Sequence, residues 1–202
     1  MIDQPSPPTR ERLLEAGRYL LWEKGYAATG IAEILDRAQA RSGSFYHFFA
    51  SKEALLLAVL DDYLHGLEPV VIRPAYERAH TPIDRIFAIL EGYREKLIAT
   101  DCRYGCPIGR LALEIEPDNI PAHAKIAENF AAWTGQVGRL LNEAKPLFQP
   151  DIDLDGLATF VLTTMEGGVM QSRSARKIEP MDQSVSQLRN YFRLLTKGAT
   201  NV

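Results

Sequence analysis

The stretch RSGSFYHFFASKE, which runs from Arg41 to Glu53, decides the fold of this chain. It places hydroxyl, phenol, imidazole and cationic side chains close together, but it holds no array of groups suited to catalysis. Such side chains suit a helix that lies in a DNA groove, where they donate to phosphates and base edges. An ordinary exposed loop with its aromatic rings folded under would have the same composition. The stretch alone does not separate these two interpretations, so its surroundings have to.

Helical periodicity surrounds this stretch on both sides. We expect the first, second and fourth helices each to begin at a hydroxyl residue that acts as the N-cap. These three caps are Thr9, Thr29 and Ser51. Gly25 ends the first helix and Gln39-Ala40 breaks the second, so the third helix, Ser42–Phe48, follows a tight turn and has about two turns of its own. Two short helices joined in this way form a helix-turn-helix unit.

The remainder of the chain is also helical in pattern, after a kink that Pro69 should cause. The further helices are predicted at residues 83–100, 107–115, 121–144, 155–173 and 181–195. We therefore predict an all-α chain of about nine helices. The longest apolar run, 54–60, is too short to span a bilayer, and the N-terminus has no signal-peptide pattern. The chain is expected to be cytoplasmic, with Cys102 and Cys106 as reduced thiols.

The composition excludes several classes of function. A formal net charge of −3 excludes a protein that coats DNA with a broad basic surface, but not one that touches DNA through a small patch. Two cysteines are too few to hold zinc, and no histidine stands at a helpful spacing from them. No nucleophile–base pair and no phosphate-binding loop are present. We therefore predict no metal, no cofactor, no catalytic residue and no enzymatic activity.

Several segments follow one another in the order and spacing of a known family. They are Arg10–Ala16, Glu23–Tyr26, Thr29, Ile34, Ala38, Ser42–Phe49 and Ser51–Leu55. Together they resemble the N-terminal unit of the TetR family of transcriptional regulators, in its AcrR-like form. The resemblance implies a disordered tail over residues 1–8, a helix-turn-helix DNA-binding domain over 9–53, and a ligand-binding and dimerisation domain over 54–202.

The resemblance also implies a set of residues that contact double-stranded DNA. They are Thr29, Arg41, Ser42, Gly43, Ser44, Tyr46, His47 and Lys52. Thr29 would bind a phosphate through its hydroxyl and its backbone amide. Ser44 and His47 would face base edges, Arg41 would reach a phosphate or a guanine, and Lys52 would pair with a phosphate. Ser42 would also cap the recognition helix, and Gly43 would let its backbone approach the DNA.

Three positions depart from the family pattern. Gln39 stands in the turn where glycine is usual and relieves a left-handed backbone, so we expect either local strain or a changed turn there. Gly30 stands where a hydroxyl residue is common, and Phe48 where a polar aromatic residue is common. These departures concern DNA affinity and sequence preference more than the fold.

Less of the second half can be assigned. Candidate ligand-binding residues are Phe87, Tyr93, Cys106, Arg110, Phe130, Trp133, Met165 and Met170. Such residues could line an apolar pocket, with Arg110 as the partner of an anion, or they could be ordinary core. Cys106 is expected at a helix start, where the helix dipole makes a thiol more reactive, or it is a small packing residue. The effector is accordingly apolar, anionic or electrophilic.

The last two helices carry apolar stripes suited to a four-helix interface between two copies of the chain. The stripe residues are Leu157, Phe160, Val161, Leu188, Tyr191, Phe192 and Leu195. We predict a homodimeric repressor that binds a palindromic operator and is released by a small molecule. The same fold acting as an activator is an alternative, and a helical small-molecule-binding protein or enzyme is another.

Overall fold

The computed structural model of the protein describes residues 7–197, and most of the predicted tail, residues 1–6, lies outside the described residues. The described part of the chain forms ten α-helices and no β-strand. The prediction of an all-α chain of about nine helices is confirmed. The helices are α1 (Thr9–Lys24), α2 (Ile31–Arg37), α3 (Ser42–Phe48), α4 (Lys52–Leu67), α5 (Arg73–Arg78), α6 (Pro82–Ala99), α7 (Pro107–Glu114), α8 (Ile120–Glu143), α9 (Leu154–Ala175) and α10 (Glu179–Leu195).

The additional helix, α5, follows from what happens at Pro69. The chain does not leave the helical conformation there but widens into a π-helical turn, Glu68–Ile72, before α5 begins. A π-turn tolerates the missing proline amide because the local hydrogen-bond ladder is already displaced. None of the helices within residues 7–197 is long and apolar enough to cross a membrane.

The predicted helix caps are only partly correct. Ser51 does cap α4, since its Oγ accepts a hydrogen bond of 3.0 Å from the Ala54 amide. The other three predicted caps are each displaced by one residue. The observed N-caps of α1, α2 and α3 are Pro8, Gly30 and Arg41, and none of them makes a side-chain cap hydrogen bond. A capping hydroxyl therefore does not fix where these three helices begin.

Two positions hold a left-handed backbone beside the helix-turn-helix unit. Gly25 ends α1 with φ 89°, as expected for a glycine after a helix. Gln39 has φ 49° in the turn before α3, so of the two expected outcomes, local strain or a changed turn, the left-handed backbone with its strain is the one observed. An L-residue with a β-carbon pays about 1–2 kcal/mol for that conformation. The turn before α3 is therefore locally strained.

The chain divides into two compact units. The first contains the residues up to Leu64 together with 107–129, and the second contains 65–106 and the residues from Phe130 onward. The first unit thus joins α1–α4 to α7, which is distant in sequence. Its fully buried side chains include Leu13, Ile34, Phe45, Leu55, Leu56, Leu60 and Leu111. Because α7 packs on α1 and supplies Leu111, it contributes to the core of the first unit.

In the second unit, α9 packs closely along α10. Gly168 permits this approach, since a β-carbon there would lie 3.0 Å from the sulfur of Met181. The Ser172 hydroxyl oxygen accepts a hydrogen bond of 3.0 Å from the Met181 amide and stabilises the reversal between the two helices. Phe192 of α10 contacts Phe87 at 5.3 Å between ring centres, which ties α10 to α6. This pair of helices presents one face to its own core and the opposite face outward.

Candidate nucleic-acid interface and sensor site

Helix α3 has one buried face and one exposed face. Phe45 and Phe49 are buried, with ring centres 5.8 Å apart, and they anchor the helix in the first unit. Tyr46 is 64% exposed, and His47 is exposed beside it. Phe48 is 37% exposed and packs edge-on against the His47 ring at 4.6 Å. The outward groups of α3 therefore include a phenol and an imidazole, the types of group that reach phosphates and base edges.

The beginning of α3 is also accessible. Arg41, Ser42 and Gly43 are exposed, and Ser44 is half-buried. A β-carbon added at Gly43 would have no neighbouring atom within 4 Å, so this part of the helix surface is open. Six of the eight predicted DNA-binding residues thus lie in the short segment 41–47, at the start of α3 and along its exposed face.

Thr29 does not fit its predicted role. It is 1% exposed, and its hydroxyl donates a hydrogen bond of 2.6 Å to the Gly25 carbonyl. Its backbone amide donates to the Tyr26 carbonyl at 3.3 Å. Both donors that were expected to bind a phosphate are used within the loop, and the structure contradicts the predicted contact. The exposed Gly30 beside it offers no hydroxyl in replacement.

Lys52 is only partly available to DNA. Its ammonium donates to the Tyr26 carbonyl at 2.8 Å and to the Thr29 carbonyl at 3.0 Å. It also lies 4.2 Å from the centre of the Tyr26 ring. An ammonium group has three donors, so one remains for a phosphate. The main role of Lys52 in this structure is to fasten the start of α4 to the loop between α1 and α2.

Sequence reasoning missed Arg10 as a candidate for DNA contact. Arg10 is exposed near the start of α1, and its guanidinium carbon lies 5.5 Å from the centre of the Phe49 ring. This contact places a permanent cation beside the C-terminal end of α3. Only tertiary packing brings the two together, so spacing along the chain gave no signal.

In the second unit, three of the predicted ligand-binding residues meet in a buried polar cluster. The Trp133 Nε1 atom donates to the Tyr93 hydroxyl oxygen at 2.9 Å, and the rings are 6.0 Å apart. Burial, together with the nearby Cys106 and Glu166, raises the pKa of Tyr93 well above its ordinary value. The ammonium of Lys96 lies 5.5 Å from the centre of the Tyr93 ring, and burial lowers the pKa of Lys96.

The same cluster contains a carboxyl group that sequence reasoning did not select. Oε1 of Glu166 is buried and has no hydrogen-bond partner among the described residues. Burial raises the pKa of Glu166, and a hydrogen bond with the Cys106 thiol opposes part of that rise. Cys106 itself is 9% exposed and directly precedes α7. A lone acid within the apolar run of α9 was the signal that could have identified this residue.

Four other predicted ligand-binding residues lie in the second unit with different surroundings. Phe87 is buried against Phe192, and the Arg189 guanidinium carbon lies 4.0 Å from the centre of its ring. Met165 is a core residue, and Phe130 is half-buried. Met170 is 59% exposed, which contradicts its predicted place in a pocket.

Arg110 does not have the predicted role of partner to an anionic ligand. It belongs to the first unit, where its guanidinium is bonded to Glu114 and to carbonyl groups at the end of α1. Those bonds use the donors that an anionic ligand would need. We therefore remove Arg110 from the candidate ligand site.

The predicted dimer residues divide into a buried group and an exposed group. Leu157, Val161, Leu188 and Phe192 are buried in the core of their own chain, so they cannot face a partner, and Leu195 is half-buried. Phe160 and Tyr191 are 47% and 43% exposed, with ring centres 5.7 Å apart. They belong to a surface that we name the α9–α10 outer face. Its members are Phe160, Thr163, Gly167, Met170, Gln187, Tyr191 and Leu194.

Comparison with known proteins agrees with this geometry. Residues 13–59 match the N-terminal model of bacterial regulatory proteins of the tetR family. Residues 82–187 match the C-terminal domain of LmrA/YxaF-like transcriptional regulators. The two matches together cover the helix-turn-helix segment and most of the second half.

Individual relatives match over nearly the whole chain. The HTH-type transcriptional repressor DhaR of Mycobacterium sp. strain GP1 is 27% identical over 197 residues, 96% of either chain. The HTH-type regulator Rv0196 of Mycobacterium tuberculosis H37Rv is 31% identical over 187 residues, which is 90% of this chain and 92% of that one. The crystal structure of regulatory protein TetR from Rhodobacter sphaeroides has a TM-score of 0.82 at 25% identity, and the match covers 91% of this chain and 98% of that one.

The buried carboxyl group gives a pH-dependent prediction. Burial raises the pKa of Glu166 in the folded chain above its unfolded value, so the folded state holds the proton more tightly. The stability that this proton contributes is complete below the unfolded pKa and is lost as the pH rises through the folded pKa. Replacing Glu166 with Gln removes that loss. We expect the unfolding free energy of Glu166→Gln, relative to the natural chain, to rise as the pH increases above about 4, the ordinary pKa of a glutamate.

Urea unfolding at several pH values measures this difference. The exposed residue Glu128 provides a matched control, since Glu128→Gln makes the same chemical change on the surface. A difference between Glu166→Gln and the natural chain that does not change with pH would contradict the prediction.

Proposed function

Because the chain belongs to the TetR family of helix-turn-helix transcriptional regulators, we propose that it is a cytoplasmic homodimeric repressor, released from a palindromic operator by a small-molecule effector. The observation that carries the proposal is α3, a seven-residue helix anchored by Phe45 with its polar face turned outward. Regulation of transcription is not an enzymatic activity. Among its relatives, DhaR is named a repressor, which favours repression over activation.

A single copy of α3 is too small a surface for specific binding. The whole chain has a net charge of −3, so a broad attraction to phosphates is not available. Specificity must then come from the few exposed groups on α3 and from the cations beside it, Arg10 and Arg41. Two copies in a symmetric dimer double these contacts and fix the distance between half-sites. This requirement links DNA recognition to dimer geometry.

The α9–α10 outer face is our proposed dimer interface. It carries no charged side chain, and its exposed apolar members include Met170 and Leu194, at 59% and 60% exposure. Gly167 on the same face would let a helix of a second copy approach closely. A two-fold axis through this face would bring α9 and α10 of both chains into a four-helix arrangement. The second copy is the occupant that an uncharged, self-complementary face suits best.

The buried cluster around Tyr93 and Cys106 is our proposed effector site. We favour a small electrophile over an anion, since Glu166 is acidic and Lys96, the cation beside the Tyr93 ring, has a lowered pKa and gives up its charge more easily than an ordinary lysine. With an α,β-unsaturated carbonyl compound, the Cys106 sulfur bonds to the β-carbon as the double bond breaks. The thiol proton passes through the Glu166 carboxyl to the α-carbon, so no oxidant is needed. Occupation of the site would shift the population of dimers away from the spacing that fits DNA.

The operator proposal is tested by a gel-shift with DNA that flanks the protein's own gene. We expect a specific complex that His47→Ala weakens by about tenfold, the usual cost of one base contact. Arg139→Ala is the control, since it removes an exposed cation from α8 and not from α3. A folded dimer that forms no specific complex at physiological salt would overturn the proposal.

The dimer proposal is tested by light scattering. The natural chain should have the mass of two chains, and Phe160→Glu should have the mass of one, because a carboxylate would have to be desolvated at the interface. Ile98→Glu is a closely matched control, since Ile98 of α6 is also 47% exposed and lies on another surface. A Phe160→Glu variant that remains dimeric would place the interface elsewhere.

The effector proposal is tested by adding a maleimide to the complex with operator DNA. The natural chain should release the DNA, and Cys106→Ser should not, because a hydroxyl is a far weaker nucleophile than a thiolate. Cys102→Ser, which also changes a buried cysteine, should respond like the natural chain. If Cys106→Ser is released as readily, Cys106 is only a packing residue.

A further inference from the structure

We infer that Arg110 and Glu114 of α7 are positioning residues for operator binding, through their hold on the end of α1 and on the loop that leads into α2. We call these two residues the α7 clasp. The inference rests on the proposed DNA-binding function, and it concerns only residues of the first compact unit.

Arg110 caps the C-terminal end of α1 from outside that helix. Its Nη1 atom donates to the carbonyl oxygens of Glu23 at 3.0 Å and Trp22 at 3.5 Å. Its Nη2 atom donates to the Lys24 carbonyl. The last carbonyl groups of a helix have no partner within the helix and carry the negative end of its dipole. A guanidinium is well suited to them because it is a planar cation with five donors.

Glu114 holds both Arg110 and the loop. Its Oε1 atom accepts from the Arg110 Nε atom at 2.7 Å, and its Oε2 atom accepts from the Tyr26 amide at 2.7 Å. The carboxylate also fills the space beside Gly25, where a β-carbon would collide with both of its oxygens. With side-chain exposures of 17% and 27%, the ion pair of the clasp is shielded from water more than a surface pair. The clasp therefore fixes the loop at the residue that ends α1.

Thr29 and Lys52 hold the loop from its other side. The Thr29 hydroxyl closes it onto the Gly25 carbonyl, and Lys52 binds the carbonyls of Tyr26 and Thr29. The next residue, Gly30, is the N-cap of α2, and α3 follows α2 across the strained turn at Gln39. The orientation of α3 relative to α1 is thus set by a loop that the clasp locks in place.

Loss of position has a different signature from loss of fold. A displaced α3 would keep its charge and its contacts with phosphates, but it would lose the alignment that base edges require. Affinity for the operator would fall while affinity for unrelated DNA stayed the same. A general loss of folded protein would lower both together.

The experiment uses the full chain and a duplex that the natural protein selects from a random library. The comparison probe is a scrambled duplex of the same length. Glu114→Gln keeps an acceptor for the Tyr26 amide but loses the ion pair, and Arg110→Met keeps the length of the stem but loses the donors. We expect each variant to bind the selected duplex about tenfold more weakly, a loss typical of a charge-assisted hydrogen bond. Binding to the scrambled duplex should stay within about twofold of the natural chain.

Lys125→Met is the matched control. Lys125 of α8 pairs with Asp61 of α4 in the same unit, and that pair does not touch the loop. This variant should bind both duplexes like the natural chain. The double variant of Arg110 and Glu114 should lose no more affinity for the selected duplex than the single variant that binds it less tightly, because the two residues act as one unit.

Two results would overturn the inference. One is unchanged affinity of both variants for the selected duplex, and the other is an equal loss for the selected and scrambled duplexes. If Arg110→Met does not fold, as judged by thermal unfolding, Glu114→Gln and Arg110→Lys decide the question. A natural chain that selects no duplex at all would instead overturn the proposed function, and the inference with it.

Discussion

The burial of Phe45 is the interaction on which the DNA-facing part of this molecule depends. A helix of seven residues is far too short to be stable in water by itself. Phe45 is completely buried, and burial of a side chain of this kind contributes about 1.5–3 kcal/mol. Helix α3 packs against α1 and α2, and the first unit to which it belongs also buries Leu111 of α7. The polar groups on the exposed face of α3 are ordered only because the buried face of the helix is fixed by Phe45.

The sequence was most informative where local chemistry decides the structure. Gly25 predicted the end of α1, and Ser51 predicted a true cap, since both act within a few residues of their own position. The substitution of Gln39 for the usual glycine indicated either a strained left-handed backbone or a changed turn, and the first of these is observed. Periodicity located the long helices to within a few residues. Each of these features depends on backbone geometry and near neighbours, which spacing along the chain records.

The failures have a shared physical cause, which is that spacing along the chain does not show which partner within the folded chain a side chain meets. The hydroxyl of Thr29 was expected to face DNA, but a carbonyl in its own loop satisfies it. Lys52 and Arg110 were assigned to anions, and both donate to backbone carbonyls, which leaves Lys52 one donor for a phosphate. In α9, apolar residues lie on two sides of the helix, so a stripe of them could not show which side faces the core. Val161 took the inner side and Phe160 the outer side.

The space beside Gly25 has a consequence for how this protein can change. The volume that a side chain at position 25 would occupy belongs to the carboxylate of Glu114, 89 positions further along the chain. Substitutions at these two sites cannot be neutral independently. A larger residue at position 25 would require a smaller one at position 114, which would release Arg110 and the Tyr26 amide in turn. We therefore expect positions 25 and 114 to co-vary among family members that share this clasp.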